Sequence, residues 1–347
     1  MTTSTTSIQE RNPIVDFFTS ETFLYIIKRL LQGLLTLLLA SALSFAIIKL
    51  APGDYFDTLR QNPKISEARI KELKQLFKFD KPAIEQYWYW LVAVVTKGDF
   101  GQSIQYYRPV SELLRERIFN TLLLAISSLV VTWAIAIPLG ILGAVNQNRL
   151  FDKILQVSSY IAQGFPSFIT ALGLLIVAQM TSPLFPVGDR TSINHQQLTW
   201  FGKILDVAWH MILPTIALSI TSFAGLQRLM RGQLLDVLRQ DYIQTARAKG
   251  LPENRVIYVH ALRNAINPLV TLLGFEFAGL LGGSFITEYF FNFPGLGLLT
   301  LDAVKKQDVY LVMGSLVMGA FMLILGNLLA DLLLKAVDPR IKIEDLR

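Results

Sequence analysis

Apolar residues gather into six runs, at 30–48, 121–145, 154–180, 204–226, 269–291 and 309–334, and the polar stretches between them differ in length and charge. Each run can cross a hydrocarbon core of about 30 Å, which takes roughly 20 helical residues. The third contains Gly164-Phe-Pro166, the fourth Pro214, and the fifth Gly274, Gly279, Gly282 and Gly283, so kinks and close helix contacts are expected there. The polar stretch between the fourth and fifth runs is patterned too: Leu234, Leu235, Leu238, Tyr242 and Ala246 recur at steps of three or four and predict one face of a helix. That helix is expected to stop at Gly250, which tolerates the left-handed cap conformation, with Leu251 as the apolar contact after it. Pro252 suits the first turn of a new helix, so two short helices meeting at a glycine hinge are expected.

The loop at 51–120 is also patterned. Ile70, Leu73, Leu76 and Phe77 fall on one face of a predicted amphipathic helix over 66–79, away from Glu67, Lys71, Lys74 and Lys78. Tyr87-Trp-Tyr-Trp90 fits the outer membrane interface, or equally a hydrophobic patch holding the loop to its own domain. Gly98-Asp-Phe-Gly-Gln-Ser103 marks a turn, and Arg108-Pro-Val-Ser-Glu-Leu-Leu-Arg115 leads into the second span. The chain thus divides into a tail (1–29), a first transmembrane helix (30–50), an extracytoplasmic loop with amphipathic helices (51–120), a transmembrane core (121–334) with a polar loop at 228–268, and a second tail (335–347). The Thr- and Ser-rich start, to about residue 20, reads as disordered. A cleaved signal peptide is the alternative for the first run, since Lys28 and Arg29 precede it and Ala40, Ser41 and Ala42 lie within it, but the run exceeds the usual apolar length of about 7–15 residues.

Composition agrees: 52% of the 347 residues are hydrophobic and 17% charged, against roughly a quarter charged in soluble proteins. The net charge of +6 requires no nucleic acid. Leaving aside Lys49, 16 basic residues fall on one side, in both tails, around Arg149 and Lys153, and in the loop from Arg228 to Arg263, whereas the short loops opposite hold only Arg190, Lys203, Lys305 and Lys306. Both termini and the 228–268 loop should therefore be cytoplasmic. The 11 basic residues of the long 51–120 loop do not count, because loops beyond about 60 residues escape the rule.

Several chemistries are excluded. With no cysteine there is no disulfide and no thiol catalysis, and no phosphate loop, HExxH, GxSxG or dinucleotide fingerprint occurs, so this chain does not hydrolyse ATP. The three histidines, His195, His210 and His260, are far apart and form no i, i+3 or i+4 ligand pair, so each reads as a hydrogen-bonded histidine. No cofactor or metal is expected to be bound, and no nucleophile–base constellation marks an intramembrane enzyme. The ionisable residues singled out within the fifth and sixth runs are Glu276, Glu288 and Asp331. A carboxylate in the membrane is costly and faces protein or water, so Glu276 and Glu288 are candidates for a translocation path; the alternative is a structural hydrogen bond for Glu276 and, for Glu288 near the outer boundary, a solvated or capping role. Asp331 lies at the inner boundary, where a solvated or capping role is equally open. An ion-coupled secondary transporter using Glu276 and Asp331 is the rival from another mechanistic class.

The polar loop resembles the cytoplasmic loop of ATP-binding-cassette importer permeases, whose pattern is Glu-Ala-Ala, three residues, Gly, nine residues, Ile-x-Leu-Pro. Here Gln244-Thr-Ala246 takes the first place, Gly250 the glycine, and His260-Ala-Leu262-Arg263 the last. The departures, Thr-Ala-Arg-Ala-Lys-Gly-Leu and then His-Ala-Leu-Arg-Asn-Ala, are similar to the first permease subunit of the oligopeptide/dipeptide/nickel subfamily. So are Ala51-Pro-Gly-Asp54, Gly98-Asp-Phe-Gly101, Gly164-Phe-Pro-Ser-Phe168, His210-Met-Ile-Leu-Pro214, Gly282-Gly-Ser284 with Glu288, Phe293-Pro-Gly-Leu-Gly297 and Val337-Asp-Pro-Arg-Ile341, in that order.

The resemblance implies an all-α membrane protein of the type I importer fold with six transmembrane helices, placed in the cell inner membrane. It implies import of di- or oligopeptides, or of nickel or glutathione, by alternating access. The partners implied are a second permease, two ATPases that bind ATP and Mg, and an extracytoplasmic solute-binding protein. Asp241, Tyr242, Gln244, Thr245, Ala246, Arg247, Gly250 and Leu251 would couple to an ATPase. Gln244 stands where the wider family often has a glutamate, which removes a charge there.

Overall fold

The computed structural model describes residues 21–50, 56, 60 and 66–337. The opening tail to residue 20, Ala51-Pro-Gly-Asp54 and the 338–347 tail, with all but the first residue of Val337-Asp-Pro-Arg-Ile341, lie outside the described residues. Thirteen α-helical segments follow in order among the described residues: α1 Glu21–Leu50, α2 Glu67–Leu76, α3 Ala83–Lys97, α4 Val110–Val145, α5 Leu150–Gly164, α6 Ser167–Met180, α7 Trp200–Leu238, α8 Asp241–Ala248, α9 Glu253–Arg255, α10 Leu262–Ala265, α11 Asn267–Phe290, α12 Leu296–Lys305 and α13 Val309–Val337. A π turn, Val256–Ala261, joins α9 to α10. Four helices are long and apolar enough to cross a membrane, and up to six spans result if each of two bent pairs counts as one.

The centre of the bundle is the crossing of α4 and α7. Ala136, Ile141, Met230 and Leu234 are buried there in one cluster. Gly140 sets the approach, since a Cβ on it would lie 2.8 Å from the Gln227 carbonyl oxygen and 2.7 Å from the Met230 Cβ. Backbone cannot yield as a flexible side chain can. Gly140→Leu is therefore expected to force the two helices apart and to lower stability by about 1–3 kcal/mol, read as a lower detergent-solubilised melting temperature.

The third apolar run turns more sharply than a kink: α5 and α6 meet at 102°. Phe165 is extended, at φ −91° and ψ 126°, because the ring of Pro166 disfavours the helical conformation in the residue before it. The helix expected through Leu234 to Ala246 is also not continuous. It ends at Leu238, Gln240 is extended, and α8 restarts at Asp241. The restart changes the phase, so Ile243 is fully buried while Tyr242 is 45% exposed.

Two long-range ties close the bundle around α1. Near the start of α1, Arg29 pairs with Asp331 at 2.9 Å, and the Tyr25 hydroxyl donates to the same carboxylate at 2.7 Å, joining α1 to α13. Asp331 is thus an inter-helix anchor. At the other end, the hydroxyls of Ser41 and Tyr87 lie 2.9 Å apart and join α1 to α3.

The described residues of the loop between α1 and α4 form a packed subdomain. Ser66 caps α2, its hydroxyl accepting from the Arg69 amide at 3.3 Å. Ile70, Leu73 and Phe77 are buried with Phe56 and Ile104, but Leu76, expected on the same face, is 68% exposed at the end of the helix. The aromatic run divides: Trp90 is buried, its indole donating to the Phe100 carbonyl at 3.1 Å, while Trp88 and Tyr89 face outward. Asp308, immediately before α13, fixes the loop by accepting from the Ser103 hydroxyl at 2.6 Å and the Gln105 amide at 3.1 Å.

Candidate coupling and translocation site

The loop after α7 is anchored to the bundle along one face. Ile243 and Ala246 of α8 are buried against Leu234, Leu235, Val256, Ile257 and Ala261, with Leu251 partly buried beside them. The opposite face, with Asp241, Tyr242, Gln244 and Thr245, is exposed. At the C-terminal end Gly250 adopts φ +76°, and its amide donates to the Arg247 carbonyl at 2.9 Å. The chain then reverses through Leu251 and Pro252 into α9. Arg247 clamps the reversal with a two-pronged pair to Glu253, at 2.6 and 3.1 Å. The Asn264 amide nitrogen donates to the Tyr242 hydroxyl at 2.8 Å, tying α8 to α10. Gln244 makes only a long contact, 3.5 Å, to the Leu238 carbonyl.

The end of α7 that leads into this loop is tied to α5. Arg231, near the end of α7, makes a bidentate pair with the fully buried Asp152 of α5, at 2.6 and 2.7 Å. One helical turn earlier on α7, Gln227 accepts from the Ser159 hydroxyl at 2.8 Å. Sequence reasoning counted Arg231 only as a cytoplasmic charge. A signal was present, since a bidentate pair needs an Arg and a nearby carboxylate, but the partner lies 79 positions away.

The two candidate path carboxylates have different surroundings. Glu276 is partly exposed and accepts from the Trp133 indole at 3.2 Å, across α4 and α11. Glu288 is fully buried: it accepts from the Thr121 hydroxyl at 2.7 Å and from the amides of Gly297 and Leu298 at 2.6 and 3.1 Å. The last two are orphan donors of the first turn of α12, so Glu288 caps that helix. Its carboxylate fills the space that side chains at Gly295 and Gly297 would require.

Residues that looked unrelated in sequence meet near the start of α7. Asp206 lies 2.6 Å from Nδ1 of His195 and 3.4 Å from Nδ1 of His210, and accepts from the Ser192 amide at 3.0 Å. The pair Asp206 and His210 at i, i+4 was legible. The return of His195 through the intervening loop was not. Among the described residues no group of three or more His, Asp or Glu is arranged to hold a metal ion.

A bundle of helices long and apolar enough to cross a membrane, joined by a polar loop packed on one face, defines an integral-membrane protein. The chain belongs to the family described as binding-protein-dependent transport system inner membrane component, whose model matches residues 136–343, and the model of the N-terminal part of such membrane components matches residues 22–127. It is a multi-pass protein of the inner membrane. It is similar to the oligopeptide transport system permease protein AppB of Bacillus subtilis, 41% identical over 92% of this chain and 99% of that one. The dipeptide transport system permease protein DppB of Escherichia coli K12 is 36% identical over 92% and 98%. The glutathione transport system permease protein GsiC of Escherichia coli O1:K1 is 35% identical over 92% and 98%.

Proposed function

We propose that this chain is one permease subunit of a binding-protein-dependent, ATP-driven importer of short peptides, and that α8 is its coupling helix. In this reading both bent pairs cross the membrane, giving six spans with cytoplasmic termini. A second permease completes the pathway, two ATPases supply the force, and an external binding protein delivers the peptide. The observation that carries the coupling role is the two-faced α8: an apolar face locked to α7 and the π turn, and an exposed polar face that none of the described elements covers, tied back only by the Asn264–Tyr242 hydrogen bond and local contacts. Motion of a body docked on Tyr242, Gln244 and Thr245 passes through Ile243 and Ala246 to the spans. Glutathione, itself a tripeptide, fits the same machinery, as the likeness to GsiC indicates.

Purification from native membranes in mild detergent tests the assembly. An ATPase with a phosphate-loop motif and a second permease should co-purify, and uptake of a labelled dipeptide should require ATP. Uptake that instead collapses with the proton gradient, with neither partner recovered, would establish the ion-coupled alternative. Glu276 is proposed to face the pathway. Glu276→Gln is expected to slow peptide uptake several-fold with normal yield; unchanged uptake would show its charge to be dispensable.

A further inference from the structure

On the outer side of the bundle, the loop before α7, the turn after α11, and α12 enclose, together with α4, a mainly polar cavity of about 720 Å3. Its wall carries charge of both signs: Arg117 and Arg190, with Asp189, His195 and Asp302. A cavity of this size suits a small molecule, since ligand pockets run from about 300 to 1,000 Å3.

The two arginines lack partners that this chain would be expected to supply. Nε of Arg117 and Nε of Arg190 are both buried and without a hydrogen-bond partner, and neither guanidinium forms a salt bridge among the described residues. Arg190 rests over the Phe119 ring at 6.0 Å, and burial alone pushes its pKa down, with no carboxylate offsetting it. Buried guanidinium donors left unpaired are costly unless a ligand meets them.

The site is also held in place. The Asp189 amide donates to the Phe291 carbonyl at 2.9 Å and the Asn292 side chain donates to the Asp189 carboxylate, which pins one end of the Arg190 segment to the turn after α11. Ser192 and His195 pin the other end to Asp206. Arg190 is therefore preorganised, and this is a use for the Asp206 cluster that the coupling mechanism leaves without a role.

We propose that this cavity is a binding site for the charged termini of a short zwitterionic peptide, with Arg117 and Arg190 on its carboxylate and Asp302 and Asp189 on its ammonium group. The assignment rests on the importer reading and deepens it by naming what the outer face recognises. A simple anion would need only the arginines, and the acidic wall opposes it. Reading termini rather than side chains lets one site accept peptides of different sequence. A planar guanidinium pairs with a carboxylate through two parallel hydrogen bonds, a geometry that an amide cannot reproduce.

The test uses the whole transporter as it co-purifies, trapped with vanadate and stripped of binding protein, titrated with Ala-Ala, Ala-Ala amide and N-acetyl-Ala-Ala. Ala-Ala should bind, and amidation should weaken it by about tenfold or more, as should R117Q combined with R190Q. Acetylation and D302N should each weaken it less, because an exposed ammonium pair is easier to replace with water. Equal affinity for the three peptides, or no binding of any, overturns the proposal, and this comparison needs only the wild-type complex. If R117Q/R190Q keeps peptide binding but no longer captures the binding protein, the cavity is a protein-docking surface and the proposal is also overturned. Failure of wild type to import any peptide is a different result: it overturns the transport reading itself.

Discussion

Replacing Gly250 with valine is expected to reduce ATP-driven uptake by an order of magnitude or more while the chain remains inserted in the membrane. The cause is backbone conformation, not crowding. Gly250 sits at φ +76°, where a β-branched residue is strained, and a Cβ added there would meet nothing within 4 Å. Forcing such a residue into this region costs about 1–3 kcal/mol. The reversal between α8 and α9 can escape that strain only by moving α8, whose buried contacts are few: Ile243, Ala246 and the partly buried Leu251. Since about 1.4 kcal/mol is tenfold in an equilibrium, the strain is enough to depopulate the docked geometry. Gly250→Asn is the control, because asparagine enters the left-handed region more readily, and it should retain most of the uptake. Measuring ATP hydrolysis and uptake together separates uncoupling from loss of assembly. Wild-type uptake by the valine variant would refute the hinge.

Glu288→Ala has the second large expected effect, and it falls on folding. The change leaves the Thr121 hydroxyl and the Gly297 and Leu298 amides without their acceptor, around a side chain that is itself fully buried. A buried donor left unsatisfied costs about 1–3 kcal/mol, so three of them consume a large part of a total stability of about 5–15 kcal/mol. The Thr121 hydroxyl also accepts from the Leu296 amide at 2.8 Å, which carries the damage to the start of α12. The expected result is a low yield of folded protein and a lower melting temperature in detergent. Glu288→Gln keeps one acceptor oxygen and should be intermediate. An alanine variant as stable as wild type but inactive in uptake would overturn the capping role and return Glu288 to the pathway.

The turn at Phe165 and Pro166 and the end of α8 at Gly250 were legible because proline and glycine act on their own neighbours, whatever the rest of the chain does. The phase slip at Gln240 was not. Leu234 to Ala246 satisfies a continuous helical period, and only the packing of Ile243 against Val256 and Ala261 makes the broken register the better one. The amphipathic face of α2 was read correctly at Ile70, Leu73 and Phe77 and incorrectly at Leu76, which lies past the surface that the loop covers.

Hydrophobic run length, charge asymmetry and the polar loop's residue pattern belong to the sequence, because solvation by lipid and local backbone conformation act on contiguous residues. That determined an all-helical membrane chain with a patterned polar loop between two of its apolar runs. What only the tertiary structure decided is which charges meet: Asp152 with Arg231, Asp331 with Arg29, His195 with Asp206, and Glu288 with the first turn of α12. A carboxylate in an apolar run must find a partner, but its partner is chosen by helix packing across tens to hundreds of residues, and no local pattern encodes that choice.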